Sequence, residues 1–173
     1  MVKKFIDLSW DENLKEDAST KSSLQYLDIE SCSVSKPHAI WGAAQYSIVD
    51  SRMAVIHARL LLGTYTLQAN RANFNQHAVD ATCPLCNSGP EDRQHFILHC
   101  DTLKDNQELH LQDIIKHIKG WDCLHPNTKL QLILDSNKHK YLVLPRYKTI
   151  NLYPIATRLI YSLHVARTRL LKA

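Results

Sequence analysis

The sequence predicts a mainly α-helical protein that consists of a small helical domain and one short module of a different kind. Only four glycines and six prolines occur in 173 residues, and good helix formers such as leucine, alanine, glutamine and lysine are frequent. Several stretches repeat apolar residues at helical spacing. Between two of these stretches the spacing of cysteine and histidine residues replaces apolar periodicity as the main signal.

Composition limits the classes of protein to consider. Hydrophobic residues make up 45% and charged residues 22% of the chain, as in ordinary globular proteins, which argues against disorder of the whole chain. The formal net charge of +4 is compatible with a polyanionic partner without requiring one. The first residues lack the apolar run of a signal peptide, and no window is apolar enough to span a bilayer. We expect an intracellular protein, nuclear or cytoplasmic, with no membrane partner.

Three segments are predicted along the chain. Residues 1–36 are polar, mixed in charge and rich in serine, which predicts a weakly structured polar arm. Pro37 offers a boundary. Residues 37–104 contain a helix and the cysteine-containing module, and residues 105–173 form a C-terminal helical region.

Helices in the middle of the chain are predicted from apolar spacing and from glycine. A long amphipathic helix is expected over residues 39–62 and should stop at Gly63. Residues 64–75 are rich in asparagine, and their periodicity does not decide between a short helix and an extended stretch. Another helix is expected over 102–119, with Gly120 at its end.

The last third of the chain predicts two more helices and one strand. A short helix follows Pro126 and Asn127. The apolar run 141–144 favours a strand, although no partner strand can be named for it. Residues 152–173 repeat leucine and isoleucine at helical spacing with arginines among them, which predicts a basic amphipathic helix.

Residues 83–100 carry four potential metal ligands. The order is Cys-x2-Cys, eight residues, His, four residues and Cys, which places the ligands at Cys83, Cys86, His95 and Cys100. Zinc takes four ligands in a tetrahedron, and thiolate and imidazole are the usual donors in structural sites. Residues 87–90, Asn-Ser-Gly-Pro, are expected to reverse the chain between the two pairs. One structural Zn²⁺ is therefore predicted, and the fold class is mainly α: a small helical domain with a short zinc-stapled module, meaning a segment fixed by the ion.

The fourth ligand has a competitor. Residues 90–92, Pro-Glu-Asp, look like a helix start, and His95 would lie on that helix. Residues five apart on an α-helix differ by about 140° around its axis, so His95 and Cys100 reach one ion only if the helix ends or tightens between them. His99 lies on the same face as His95 and would give a Cys2His2 set. Cys100 is preferred because thiolate binds zinc strongly and the other set leaves a free cysteine beside the ion.

Other interpretations of the cysteines are disfavoured. A redox pair of the thioredoxin type is not expected, because no predicted strand runs into Cys83 and no helix begins at Cys86. A catalytic zinc is not expected either, because four protein ligands leave no open position for water. Cys32 and Cys123 have no neighbouring donors and are interpreted as ordinary thiols.

Sequence runs on both sides of the cysteine pair resemble a known family. They are ARLLLGTY at 58–65, NRANFN at 70–75, CPLC at 83–86 and EDRQHF at 91–96. Over residues 38–104 the chain resembles the zinc-binding region downstream of the polymerase in non-LTR retrotransposon reverse transcriptases and in animal proteins derived from them. The family pattern places its ligands at the four positions given above.

The resemblance implies a role in handling RNA or single-stranded DNA, with a reverse transcriptase core as a further partner. Tyr65 and Phe74 are candidates to stack on unpaired bases. The basic candidates for phosphate contacts are Arg59, Arg71, Arg93, Arg158, Arg167, Arg169 and Lys172. No Asp-Asp pair of a polymerase palm occurs, and no group of acids and histidines suggests a nuclease, so we expect no enzymatic activity.

A second hypothesis assigns the chain to protein interaction or to intramolecular scaffolding. Zinc would then fix residues 83–100 onto the helix at 39–62, while the C-terminal helix docks on a polymerase core or another partner. Under this hypothesis the basic residues form the solvated face of their helices, and Tyr65 and Phe74 belong to the core.

Overall fold

The computed structural model describes residues 2–33, 36–42, 44, 47–74, 78–144 and 151–172, and their side chains from residue 9 onward. Within these ranges the chain is mostly helical and has isolated β-bridges but no strand, which confirms the predicted fold class. The α-helices are α1 (Val2–Thr20), α2 (Ile48–Leu61), α3 (Gln68–Asn73), α4 (Lys104–Ile115), α5 (Pro126–Leu134) and α6 (Leu152–Leu170). A π-helical turn spans His95–His99. Short 3-10 helices span Ser22–Leu24, Ile29–Ser31, Ala39–Gly42, Asp101–Leu103, Trp121–Cys123 and Ser136–Leu142.

Helix α6 lies at the centre of the core. It packs against α2, α4 and α5 and also contacts the π-helical turn. The Asn151 side chain caps its start by accepting a hydrogen bond from the Tyr153 backbone N–H at 3.1 Å. Its buried side chains recur at helical spacing: Leu152, Tyr153, Ala156, Thr157, Leu159, Ile160 and Leu163. The predicted helix in this part of the chain is confirmed.

The single helix predicted over 39–62 is wrong, because this segment contains two separate elements. A 3-10 helix covers Ala39–Gly42, and α2 begins only at Ile48. The Ser47 hydroxyl accepts a hydrogen bond from the Asp50 backbone N–H at 3.0 Å, which starts a new helix at this point. The predicted end is correct, since Gly63 adopts a left-handed conformation with φ of 70° directly after α2.

The predictions on either side of α4 need smaller changes. α3 shows that the stretch at 64–75 contains a short helix, the first of the two alternatives; residue 75 lies outside the described residues. α4 ends at Ile115, before Gly120, because the following residues turn so that Ile118 can bridge Val143.

The strand predicted at 141–144 is wrong. Tyr141 and Leu142 complete a 3-10 helix, and only Val143 forms a bridge. Two backbone hydrogen bonds flank this bridge, from Lys119 N–H to Leu142 O at 2.8 Å and from Leu144 N–H to His117 O at 2.9 Å. The short helix predicted after Pro126 is confirmed as α5.

The prediction of a weakly structured arm is wrong for residues 2–20, because they form α1. Two exposed ion pairs involve α1: Asp17 pairs with Lys21 one turn later at 3.3 Å, and Lys15 pairs with Glu30 of a following 3-10 helix at 3.0 Å. α1 contacts the two 3-10 helices that follow it. The division of the chain into three segments stays a prediction.

A buried carboxylate connects the N-terminal segment to the core. Asp135 is fully buried and accepts hydrogen bonds from the Tyr153 hydroxyl at 2.6 Å and from the backbone N–H groups of Asp28 and Asn137. His38 Nε2 lies 3.4 Å from it. Burial would raise the pKa of Asp135, but the hydrogen bonds, led by that from His38, lower it to about 2. Every helix in the described ranges is too short or too polar to span a bilayer.

Candidate metal centre

The cysteine pair lies on a tight chain reversal. Cys83 N–H donates to Gly89 O at 2.7 Å and Glu91 N–H donates to Ala81 O at 2.8 Å, so the chain returns antiparallel to itself. Asn87 adopts a left-handed conformation with φ of 54°, which asparagine tolerates better than most residues. The predicted reversal at 87–90 is confirmed.

The other two ligands lie on a helix of unusual width. The Asp92 carboxylate accepts a hydrogen bond from His95 N–H at 2.7 Å, at the start of the helical turn. Cys100 N–H then donates to His95 O at 2.8 Å, the i to i+5 bond of a π-helix. The helix ends at Cys100, as the geometry required, but its turn widens instead of tightening. The wider turn brings residues five apart to the same side of the axis.

The four predicted ligand side chains come together at one point. Their ligand atoms all lie within 4.8 Å of one another, and they form a candidate metal site. The Sγ atoms of Cys83 and Cys100 are 3.9 Å apart, and Cys86 Sγ is 3.2 Å from His95 Nε2. With metal–sulfur bonds of about 2.3 Å, two sulfurs of a tetrahedral site lie about 3.8 Å apart. The cluster therefore has the size of one tetrahedral site.

Burial acts to raise the pKa of all three thiols, and hydrogen bonds oppose it at Cys83 and Cys86. Burial raises the pKa of Cys83, although backbone N–H groups of Cys86 and Leu85 favour its thiolate. Burial and the neighbouring Cys83 raise the pKa of Cys100 to about 12. Burial also opposes ionisation of Cys86, but hydrogen bonds with Ser88 lower its pKa to about 6. A bound divalent cation would favour three thiolates, since its charge offsets their mutual repulsion.

His99 lies outside this cluster. Its side chain is exposed, and its Nε2 atom is 3.3 Å from Gln94 Nε2. The π-helical turn explains the difference, because it carries Cys100 inward where an α-helix would have carried residue 99. Cys32 and Cys123 also lie apart from the cluster and form no disulfide in the part of the chain that the structure describes.

A buried ion pair attaches the module to α6. Arg167 Nε and Nη2 donate to Glu91 Oε1 at 2.6 Å and Oε2 at 2.8 Å, and the Glu91 side chain is 1% exposed. Gln68 N–H also donates to Glu91 Oε2 at 2.9 Å. The sequence gives no sign of this pair, because the two residues are 76 positions apart. Arg167 therefore holds two parts of the fold together and is not available to bind phosphate.

Arg93 attaches the same module to α2 and to the N-terminal segment. Its Nη1 atom donates to the backbone oxygens of Ser23 at 3.0 Å and Leu61 at 3.2 Å, near the C-terminal end of α2. Its guanidinium group lies 4.4 Å from the centre of the Tyr26 ring. Arg93 thus satisfies helix-end carbonyls instead of facing solvent.

The other residues predicted to bind nucleic acid differ in exposure. Tyr65 is buried, stacks on Phe96 and hydrogen-bonds His164 Nδ1 at 2.7 Å, so it cannot stack on a base. Phe74, by contrast, is 73% exposed. The exposed basic candidates are Arg59, Arg71, Arg158, Arg169 and Lys172, and Arg71 hydrogen-bonds Gln68.

Comparison with known protein families, with curated proteins and with solved structures finds no match to this chain. The resemblance to the reverse transcriptase region thus stays a prediction that rests on the residues quoted for it.

Proposed function

We propose that this chain is a non-catalytic module that binds one structural zinc ion and serves as a scaffold. The observation that carries the proposal is the group of Cys83, Cys86, His95 and Cys100 within 4.8 Å of one another. Three thiolates and one imidazole are a donor set that selects zinc over the hard cations magnesium and calcium. A closed set of four protein ligands supplies structure and leaves no position for a reacting water.

Zinc would join two backbone elements. The chain reversal supplies Cys83 and Cys86, and the π-helical turn supplies His95 and Cys100. Glu91 and Arg93, between these pairs, attach the module to α6 and α2. The ion would therefore fix the segment from which both attachments extend.

Metal analysis of protein purified without added metal tests the site. We expect about one zinc per chain, and we expect Cys83→Ser to release it. Cys123→Ser is the matched control, because this cysteine is exposed and outside the cluster. Full zinc content in Cys83→Ser would reject the proposed site.

The identity of the fourth ligand has its own test. Cys100→Ser should weaken zinc binding more than His99→Ala does, because only Cys100 reaches the cluster. Competition with a chromogenic chelator measures both affinities. The opposite order would assign the fourth position to His99.

A second candidate function is binding of RNA or single-stranded DNA, as the resemblance implies. One observation favours it: α6 contains no acidic residue, and Arg158, Arg169 and Lys172 are exposed. At about 100° per residue Arg158 and Arg169 lie about 20° apart around the axis of α6, and Lys172 follows just after the end of the helix. Such a basic stripe suits a phosphate backbone.

Fluorescence anisotropy with a labelled single-stranded RNA at two salt concentrations tests this candidate. Binding should weaken steeply with salt, and Arg158→Glu with Arg169→Glu should abolish it. Arg167→Met is the contrasting variant, because its side chain is internal and its loss should act through stability. No binding at low salt would reject the nucleic-acid role and leave the zinc scaffold standing.

A further inference from the structure

A polar cleft lies beside the candidate metal centre. Its volume is about 600 Å³, within the range of about 300–1,000 Å³ that is usual for small-molecule sites. Residues 92–94, which lie between the two pairs of zinc ligands, contribute to its lining. Parts of the segments 22–26 and 69–74 line the rest, together with Gly63 and Asn127. Segments far apart in the sequence thus meet at one cleft of ligand size.

The lining of the cleft is rich in carboxamide groups. Five side chains provide them: Gln25, Asn70, Asn73, Gln94 and Asn127. The Asn70 amide nitrogen donates to Gly63 O at 3.2 Å and to Tyr65 O at 2.9 Å, which fixes the side chain and leaves its oxygen as an acceptor. The side-chain amides of Gln25, Asn73 and Asn127 make no hydrogen bond within the described part of the chain. Each carboxamide offers a donor beside an acceptor, so the lining suits a ligand whose edge alternates in the same way.

The charges of the lining balance each other. Asp92 is its acid and Arg93 its base. The Asp92 carboxylate accepts a hydrogen bond from His95 N–H, and Arg93 Nη1 donates to the backbone oxygen of Ser23, so the fold holds both groups in place. A lining without net charge favours a neutral polar ligand over a phosphate or a carboxylate.

Phe74 adds an aromatic surface to this polar lining. Its side chain is 73% exposed and lines the cleft. An exposed phenyl ring can stack on the face of a flat ring. Nucleobases are neutral and flat, and their edges carry donors next to acceptors, so they match the aromatic ring, the charge balance and the carboxamides together.

We propose that this cleft binds an unpaired nucleobase, with Phe74 stacked on its face and the carboxamides of Gln25 and Asn73 at its edge. Asparagine and glutamine form paired hydrogen bonds with adenine, so adenine is the expected preference. A base inside a duplex does not expose its face, so the base must be unpaired. The proposal goes beyond the zinc scaffold and uses none of the basic residues of α6.

Fluorescence anisotropy of the zinc-loaded full chain with labelled single strands tests the proposal. The probes are oligo(dA), oligo(dC) and an abasic strand of the same length, which keeps the sugars and phosphates but lacks the bases. We expect oligo(dA) to bind at least about tenfold more tightly than the abasic strand, because only the former can stack. Equal affinities for these two strands would overturn the proposal.

Replacement of Phe74 tests the stacking surface. Phe74→Ala should weaken binding of oligo(dA) at least about tenfold, and Phe74→Trp should preserve it because indole also stacks. The dependence of affinity on salt should stay the same in Phe74→Ala, since no phosphate contact is lost. Leu109→Ala is the matched control, because Leu109 is 69% exposed but lies outside the lining. Unchanged affinity in Phe74→Ala, or an equal loss in Leu109→Ala, counts against the proposal.

The carboxamides have a separate readout. Gln25→Ala with Asn73→Ala should reduce the preference for oligo(dA) over oligo(dC) and leave the affinity for the abasic strand unchanged. Gln112→Ala is the control, because this exposed glutamine does not line the cleft. A preference that survives the double replacement contradicts the proposed contacts. Circular dichroism of each variant verifies that it is folded.

Titration with adenosine monophosphate, followed by the NMR shifts of the Asn73 and Phe74 backbone amides, distinguishes two sources of the base. Tighter binding of the strand than of the mononucleotide assigns the cleft to single-stranded nucleic acid, whereas binding of the mononucleotide alone assigns it to a free nucleotide. Absence of binding in both experiments would refute the proposal. Zinc content measured on the same samples keeps that result separate from failure of the zinc scaffold.

Discussion

Replacement of Arg167 by methionine gives the sharpest test of how the metal module is attached. In the structure the guanidinium group makes two hydrogen bonds to Glu91, and the two side chains are 12% and 1% exposed. Arg167→Met keeps most of the aliphatic packing of this side chain. The Glu91 carboxylate stays buried, and among the described contacts only Gln68 N–H still donates a hydrogen bond to it. Such a carboxylate has lost both its counter-charge and its solvation.

The expected loss of stability follows from this burial. Removing one partner of a buried ion pair costs about 3–5 kcal/mol, and partial exposure of Arg167 argues for the lower end. For a domain of this size 1 kcal/mol changes Tm by roughly 2–4 °C, so we expect Tm to fall by about 6–12 °C. Neutralising the partner as well, in Arg167→Met with Glu91→Gln, should recover about 2 kcal/mol.

Thermal and urea unfolding followed by circular dichroism measure these changes. Arg158→Met is the matched control, because this arginine lies on the same helix but is exposed, and its replacement should change stability by less than about 0.5 kcal/mol. Equal effects of Arg167→Met and Arg158→Met would refute the structural role of the pair. A double variant less stable than the single would refute the explanation through an unpaired carboxylate.

Two further predictions concern the backbone and a buried histidine. Gly63→Ala should destabilise the fold by about 1–3 kcal/mol, because φ at this residue is 70° and the added Cβ would lie 3.0 Å from Ser23. Gly42→Ala is the control: its added Cβ has no heavy atom within 4 Å, so urea unfolding should show almost no change in stability. Burial lowers the pKa of His57 to about 4. In the unfolded chain His57 binds a proton near pH 6.5, whereas in the folded chain it stays neutral until about pH 4. The contribution of neutral His57 to the free energy of unfolding is therefore complete above pH 6.5, and the free energy falls by up to about 3 kcal/mol as the pH drops to 4. Urea unfolding across this window should show a smaller loss for His57→Gln, and an equal loss in both proteins would contradict the assignment.

Local patterns in the sequence predicted much of the fold. The apolar repeat of α6, the start of α5 at Pro126 and the end of α2 at Gly63 each depend on residues close together in the chain. Two helix predictions failed for reasons that apolar spacing does not show. Ser47 caps a new helix inside a stretch whose apolar spacing predicts one continuous helix. α1 is helical although its many polar residues give little apolar periodicity.

The sequence by itself determined which four residues form the candidate metal site, because their donor types and spacing are local properties of an 18-residue segment. Only the tertiary structure decided how His95 and Cys100 face one point, through a π-helical turn that spacing does not encode. It also decided the roles of Arg93 and Arg167. Sequence counts both as basic residues, whereas packing places one against helix-end carbonyls and the other against Glu91, since the position of a side chain depends on residues far away in the chain.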